Sequence, residues 1–139
     1  MSGWGSQEND ALSILGKKHG TDKITLHNFT PFYHSHLKNK IDSVNNILEI
    51  GILFGKSLRM WREYFPNSTV FGIDINGDHV NNANDIANRI ICYICSQDDE
   101  TKINKIFKDT KFDIIIDDGE HYMSLQQISF KVLWPRVTP

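Results

Sequence analysis

The stretch Asn46-Ile-Leu-Glu-Ile-Gly-Ile-Leu-Phe-Gly-Lys-Ser57 decides the fold. Its first five residues are a strand-sized apolar run interrupted by Glu49, and the next five form a turn bracketed by Gly51 and Gly55. Residues 57–65 then set Leu58, Trp61 and Phe65 at helical spacing before Pro66 stops the helix. This is one strand–turn–helix unit, and the rhythm repeats. Residues 70–73 read as a second strand, 78–88 as a helix, 90–95 as a third strand and 98–108 as a helix carrying Ile103, Ile106 and Phe107. A fourth strand over 112–116 and a helix over 124–134 follow, the latter with Leu125, Ile128, Val132 and Leu133 as its buried stripe. Strands alternating with helices at this spacing predict an α/β protein, a doubly wound parallel sheet with helices on both faces.

The first 40 residues have a different pattern and predict an N-terminal helical addition, leaving 41–139 as the α/β domain. Leu12, Ile14 and Leu15 mark a short amphipathic helix over 8–18, closed by Gly20. Thr30-Pro31 reads as an N-cap followed by proline at the first helical position, so Phe32, Tyr33, His36 and Leu37 lie on a second helix. His34 and His36, two apart, diverge and read as surface residues.

Composition narrows the function. Within 139 residues, 15 Lys and Arg against 17 Asp and Glu give a net charge of -2 with no basic stripe, which argues against nucleic acid as a partner. The longest apolar runs are strand-sized, short of the roughly 20 residues a membrane-spanning helix needs, and residues 1–10 lack a signal-peptide apolar region. These features predict a cytoplasmic protein without membrane contact. Cys92 and Cys95 form a CxxC, but on a strand residues three apart face opposite ways, so the pair reads as ordinary thiols in a reducing compartment.

In doubly wound sheets ligands bind beyond the carboxyl ends of the strands. The turn after the first strand admits three readings. A triphosphate loop needs four residues between its first glycine and Gly-Lys-Ser, and here three intervene, although Lys56, Ser57 and the acid after Ile114-Ile-Ile116 keep a P-loop-like nucleotide triphosphatase as the alternative. A dinucleotide loop needs glycine where Leu53 stands. An S-adenosylmethionine site needs an acid two residues before the first glycine to meet the cofactor's ammonium, and Glu49 supplies it. The second strand ends in Phe71-Gly-Ile-Asp-Ile75, placing Asp74 where a carboxylate accepts both hydroxyl hydrogens of a ribose. Taken singly, Glu49 or Asp74 also reads as a helix cap and Gly51 as a turn glycine; together, at adjacent strand ends, they suit an aminoacyl nucleoside.

After the fourth strand comes Asp117-Asp-Gly-Glu-His121. A carboxylate in such a loop can hold a hard divalent cation, and a neutral imidazole three residues on can take a proton from a hydroxyl. His121 also reads as a solvent-exposed loop histidine.

With these segments assembled, the sequence resembles the class I S-adenosylmethionine-dependent O-methyltransferases, most closely the macrocin and demethylmacrocin sugar O-methyltransferase type. The resemblance spans residues 12–139. It is carried by Gly20-Thr-Asp-Lys23 with His27 and Thr30-Pro31, by Glu49-Ile-Gly51 with Gly55 and Ser57-Leu-Arg-Met-Trp61, by Gly72-Ile-Asp74, and by Ile116-Asp-Asp-Gly-Glu-His121 with Gln127, Phe130 and Pro135. It implies a Rossmann-like sheet in the order 3-2-1-4 and magnesium-assisted methyl transfer from S-adenosylmethionine to a hydroxyl, on a small-molecule acceptor such as a sugar. Asp118 would be a metal ligand and His121 the general base, while Glu49, Gly51, Gly55, Ser57, Asp74, Gln97 and Asp117 would line the cofactor site. Gly20 to Lys23 would fold over that site or form a polar turn.

Two departures from the family pattern stand out. Ser96 precedes Gln97 where the family has an aspartate, which predicts weaker cofactor binding. The sequence also stops at Val137-Thr-Pro139, before the fifth strand and the acidic pair that would complete the metal site. In the expected order the fourth strand is an edge, and Ile114, Ile115 and Ile116 are too apolar for an open one. The expectation is a shortened methyltransferase domain lacking the C-terminal strands, or one that self-associates through its fourth strand, with an inactive cofactor-binding or assembly module as a further alternative.

Overall fold

The structure, a computed structural model, describes residues 10–20, 30–117 and 136–138. Helix α1 (Ala11–His19) starts at Asp10, whose carboxylate accepts from the Ser13 amide at 2.7 Å and the Ser13 hydroxyl at 3.0 Å, and ends at Gly20 in the left-handed region. Helix α2 (Thr30–Leu37) runs into a single tight turn, Lys38–Lys40. Then come β1 (Asn46–Ile50), α3 (Lys56–Tyr64), β2 (Thr69–Asp74), α4 (Gly77–Ala83), β3 (Ile90–Ile94), α5 (Glu100–Phe107) and β4 (Ile114–Asp117). The four strands are all parallel in the order β3-β2-β1-β4, the order expected of the Rossmann-like class.

Alternation of side chains divides the core between the two sheet faces. On one face Ile47, Val70, Ile90, Cys92 and Ile116 pack against Leu58, Trp61 and Phe65 of the α3 region, Val80 and Ala83 of α4, and Leu12 of α1. On the other, Leu48, Ile50 and Ile73 pack against Ile103 and Phe107 of α5 and against Phe112. Phe107 sits edge-on to Phe71, Tyr93 and Phe112, with ring centroids 5.7, 5.8 and 5.1 Å away. Cys92 belongs to the first cluster and Cys95 to the second; both are buried free thiols, as the strand reading required. Among the described residues no helix is long and apolar enough to cross a membrane.

One element differs from its sequence reading. The helix expected over 78–88 ends at Ala83, because the outer edge of β3 takes the next residues as partners. Asn84 Oδ1 accepts from the Cys92 amide at 3.0 Å, and Asp85 exchanges backbone hydrogen bonds with Ile90 at 2.8 and 3.0 Å. Satisfying the strand edge wins over another helical turn. At the opposite edge, the start of β4 is flanked by residues 136–138. The Phe112 amide donates to Arg136 O at 2.6 Å and the Thr138 amide to Phe112 O at 2.9 Å. Arg136, buried, caps the end of α5 by donating to Lys108 O at 2.6 Å and Asn104 Oδ1 at 2.9 Å. The helix expected over 124–134 lies outside the described residues.

Candidate functional site

Strand register brings the two acids of β1 and β2 together. Glu49 pairs with Gly72, and Asp74 stands two residues further along β2, so both side chains leave the same face of the sheet at neighbouring strand ends. Glu49 is 1% exposed. The Cys92 thiol, across Gly72 in the register, titrates at about 12, pushed up first by burial and further by the charges of Glu49 and Asp74.

Between these acids runs the turn of residues 51–55, which reverses direction through three left-handed residues: Gly51 at φ 90°, Leu53 at φ 52° and Gly55 at φ 74°. The Gly51 amide donates to Ile73 O and the Gly55 amide to Ile52 O, both at 2.9 Å. A Cβ at Gly55 would meet the Ala83 Cβ at 2.8 Å, so the absence of a side chain lets the turn lie directly on α4. Gly72 plays the matching part on β2, where Ile52 and Leu58 occupy the space above its Cα.

Asp74 grips this turn. Its Oδ2 accepts from the Ile52 amide at 2.8 Å and the Leu53 amide at 3.4 Å, and its Oδ1 from the Asn76 amide at 2.9 Å. His79 Nδ1 lies 3.4 Å from Oδ2. Burial opposes ionisation of Asp74, but the three amides and His79 together outweigh it and hold the carboxyl below its ordinary value. A carboxylate has about four lone-pair directions, so Asp74 braces the turn and keeps acceptor capacity on Oδ1.

The remaining candidates surround this pair to different degrees. Ser57 is the second residue of α3 and half-buried. Gln97, 6% exposed, follows β3 in a loop tied to the end of β2 by the Cys95 amide, which donates to Asp74 O at 3.0 Å. Asp117 ends β4 exposed, in register with Ile50, on the sheet face opposite Glu49 and Asp74. Asp118 and His121 lie outside the described residues, as do positions 21–23. Among the described residues no group of three or more His, Cys, Asp or Glu side chains converges to hold a metal.

Two residues went unrecognised in the sequence. His79 stands five positions after Asp74, a spacing that the Asn76 cap converts into contact: Asn76 Oδ1 accepts from the Asp78 and His79 amides at 2.9 and 3.2 Å and so turns α4 back over the strand end. The strand-end acid followed by a capping asparagine was the available signal. His34, read as a surface residue, instead meets the Tyr64 hydroxyl through Nδ1 at 2.7 Å and joins α2 to α3.

No protein-family profile matches the chain. Among curated proteins, mycinamicin VI 2''-O-methyltransferase of Micromonospora griseorubida is 35% identical across 100% of this chain and 36% of its own length. Demethylmacrocin O-methyltransferase of Streptomyces fradiae is 32% identical across 92% of this chain and 34% of its own. Over nearly its whole length the chain is similar to O-methyltransferases. These relatives are sugar O-methyltransferases of the macrocin type. The solved structure of MycE methyltransferase from the mycinamycin biosynthetic pathway, in complex with Mg and SAH, superposes with a TM-score of 0.72 at 32% identity, covering 94% of this chain and 32% of that one. The chain thus spans about a third of the length of the methyltransferases it matches.

The similarity to methyltransferases leaves the triphosphate-loop alternative without support, and the geometry explains why. A phosphate cradle needs the turn's amides directed at the anion. Here the Ile52 and Leu53 amides are given to the Asp74 carboxylate, which would also repel a phosphate. Lys56 Nζ lies over the Phe54 ring, 5.6 Å from its centroid.

Proposed function

We propose that this chain forms the cofactor-binding part of an S-adenosylmethionine-dependent O-methyltransferase acting on a hydroxyl of a sugar or glycoside. The observation that carries the reading is the placement of Glu49 and Asp74 on one sheet face at adjacent strand ends, joined by a turn whose Ile52 and Leu53 amides Asp74 holds. Two carboxylates in that arrangement accept hydrogens, Glu49 from an ammonium and Asp74 from ribose hydroxyls, and neither asks for a phosphate. Gly51, Gly55, Ser57, Gln97 and Asp117 would complete the cofactor site, Gln97 beside the adenine. When bound, the cofactor supplies an electrophilic methyl group on a sulfonium.

The acceptor chemistry is assigned to the segment after β4. His121 would accept the proton of the attacking hydroxyl, and Asp118 would contribute to a Mg²⁺ site that lowers the hydroxyl's pKa. The presence of Mg and SAH in the MycE structure supports this pairing of groups. Two buried, free thiols support a reducing, cytoplasmic setting.

Isothermal titration with S-adenosylhomocysteine tests the cofactor reading. The parent chain is expected to bind one equivalent and Asp74→Ala to lose at least tenfold in affinity; absence of binding by the parent overturns the reading. His121→Ala is expected to bind like the parent and to lose methyl transfer to a glycoside acceptor.

A further inference from the structure

Asp74 is held mainly by backbone amides, which every sequence would supply; the side chain that meets it from α4 is His79. The imidazole is half-buried and fixed from two directions. Its backbone amide is tied to Asn76 Oδ1 at 3.2 Å, and its ring stands edge-on to Phe54, with centroids 6.4 Å apart and planes at 62°. Phe54 itself rides on the glycine turn and is 62% exposed. His79 therefore touches the turn and the acid at once and faces Asp74 Oδ2 from outside the amides of Ile52 and Leu53.

We infer that His79 is a positioning residue for the ribose-binding carboxylate, an assignment that rests on the cofactor reading above. The terminal torsion of an aspartate is soft, so amides on one side leave the carboxylate free to rock. In the tautomer that carries its proton on Nδ1, His79 donates to the outer side of Oδ2, stops that motion and keeps Oδ1 directed outward, toward the ribose hydroxyls. The geometry is set before the ligand arrives, and preorganisation of this kind lowers the cost of binding. Nothing in this role demands that His79 touch the reacting atoms.

The test pairs side-chain and ligand changes. His79→Phe keeps a ring against Phe54 and removes the donor; His79→Asn restores a donor near the Nδ1 position. Affinities are measured by calorimetry for S-adenosylhomocysteine and for its analogue lacking both ribose hydroxyls, with thermal unfolding as the control for folding. His79→Phe is expected to weaken S-adenosylhomocysteine binding roughly threefold to tenfold, the range of one modest hydrogen bond. It should leave the dideoxy analogue unchanged, and His79→Asn should recover most of the loss. Equal losses for both ligands, or an Asn variant as weak as the Phe variant, would reduce His79 to packing and overturn the inference. Parent-like binding by His79→Phe overturns it too. A parent chain that binds neither ligand instead overturns the cofactor reading itself, so the two failures are distinguishable.

Discussion

Asp74 closes the β1–α3 turn from about 22 positions away through the amides of Ile52 and Leu53, both on Oδ2, while its Oδ1 accepts from the Asn76 amide. Because its folded-state pKa lies below the unfolded value of roughly 3.9, the carboxylate's contribution to stability is complete above that value and disappears as pH falls through the lower folded one. The urea midpoint of the parent should therefore drop on acidification below about pH 4, and Asp74→Asn, which has no such proton to gain, should drop less. At neutral pH the same variant should cost about 1 kcal/mol, since it weakens the acceptor for the amides of Ile52, Leu53 and Asn76. Equilibrium urea unfolding at several pH values measures both. An acid at a strand end announced itself in the sequence. Its second task did not, because the donors are backbone amides, which carry no residue signature. His34 escaped for a related reason: its partner, Tyr64, is 30 residues away.

At the level of elements, the described strands and helices of the α/β part were legible to within about two residues, since apolar period and capping residues both declared them. Residues 84–88 were the exception. Asn84 and Asp85 fit a helix locally and abandoned it to satisfy the edge of β3, a demand visible only once the sheet order is known. The glycine turn shows the opposite relation between sequence and fold, because its spacing was legible and its tightness was not. Gly55 has a φ of 74°, and a Cβ added there would lie 2.8 Å from the Ala83 Cβ, so Gly55→Ala meets both backbone strain and a steric clash. The variant should lose roughly 1–3 kcal/mol in chemical unfolding and, by pushing the turn off α4, weaken S-adenosylhomocysteine binding as well. Retained stability together with retained affinity would mean that the turn moves freely on α4.

For the molecule as a whole, the parallel sheet with two apolar faces followed from the alternation of elements and the strand order from the family resemblance, while the candidate chemistry split in two. The acids before and after the glycine turn fall within the described residues; Asp118 and His121 do not, and their roles rest on relatives about three times as long as this chain. Ligand linkage separates the two halves experimentally. A ligand that binds only the folded state at a hundred times its dissociation constant stabilises it by about 2.7 kcal/mol. For a chain of 139 residues, whose unfolding entropy scales with length, that corresponds to a rise in Tm of roughly 9 °C. S-adenosylhomocysteine should produce this rise without added magnesium, because the site proposed at Glu49 and Asp74 includes no metal ligand. ATP with Mg²⁺ should leave the Tm unchanged, since the turn's amides already face a carboxylate. Dependence of the S-adenosylhomocysteine shift on Mg²⁺ would place the metal within the cofactor site itself and require a ligand set other than the one assigned to the segment after β4.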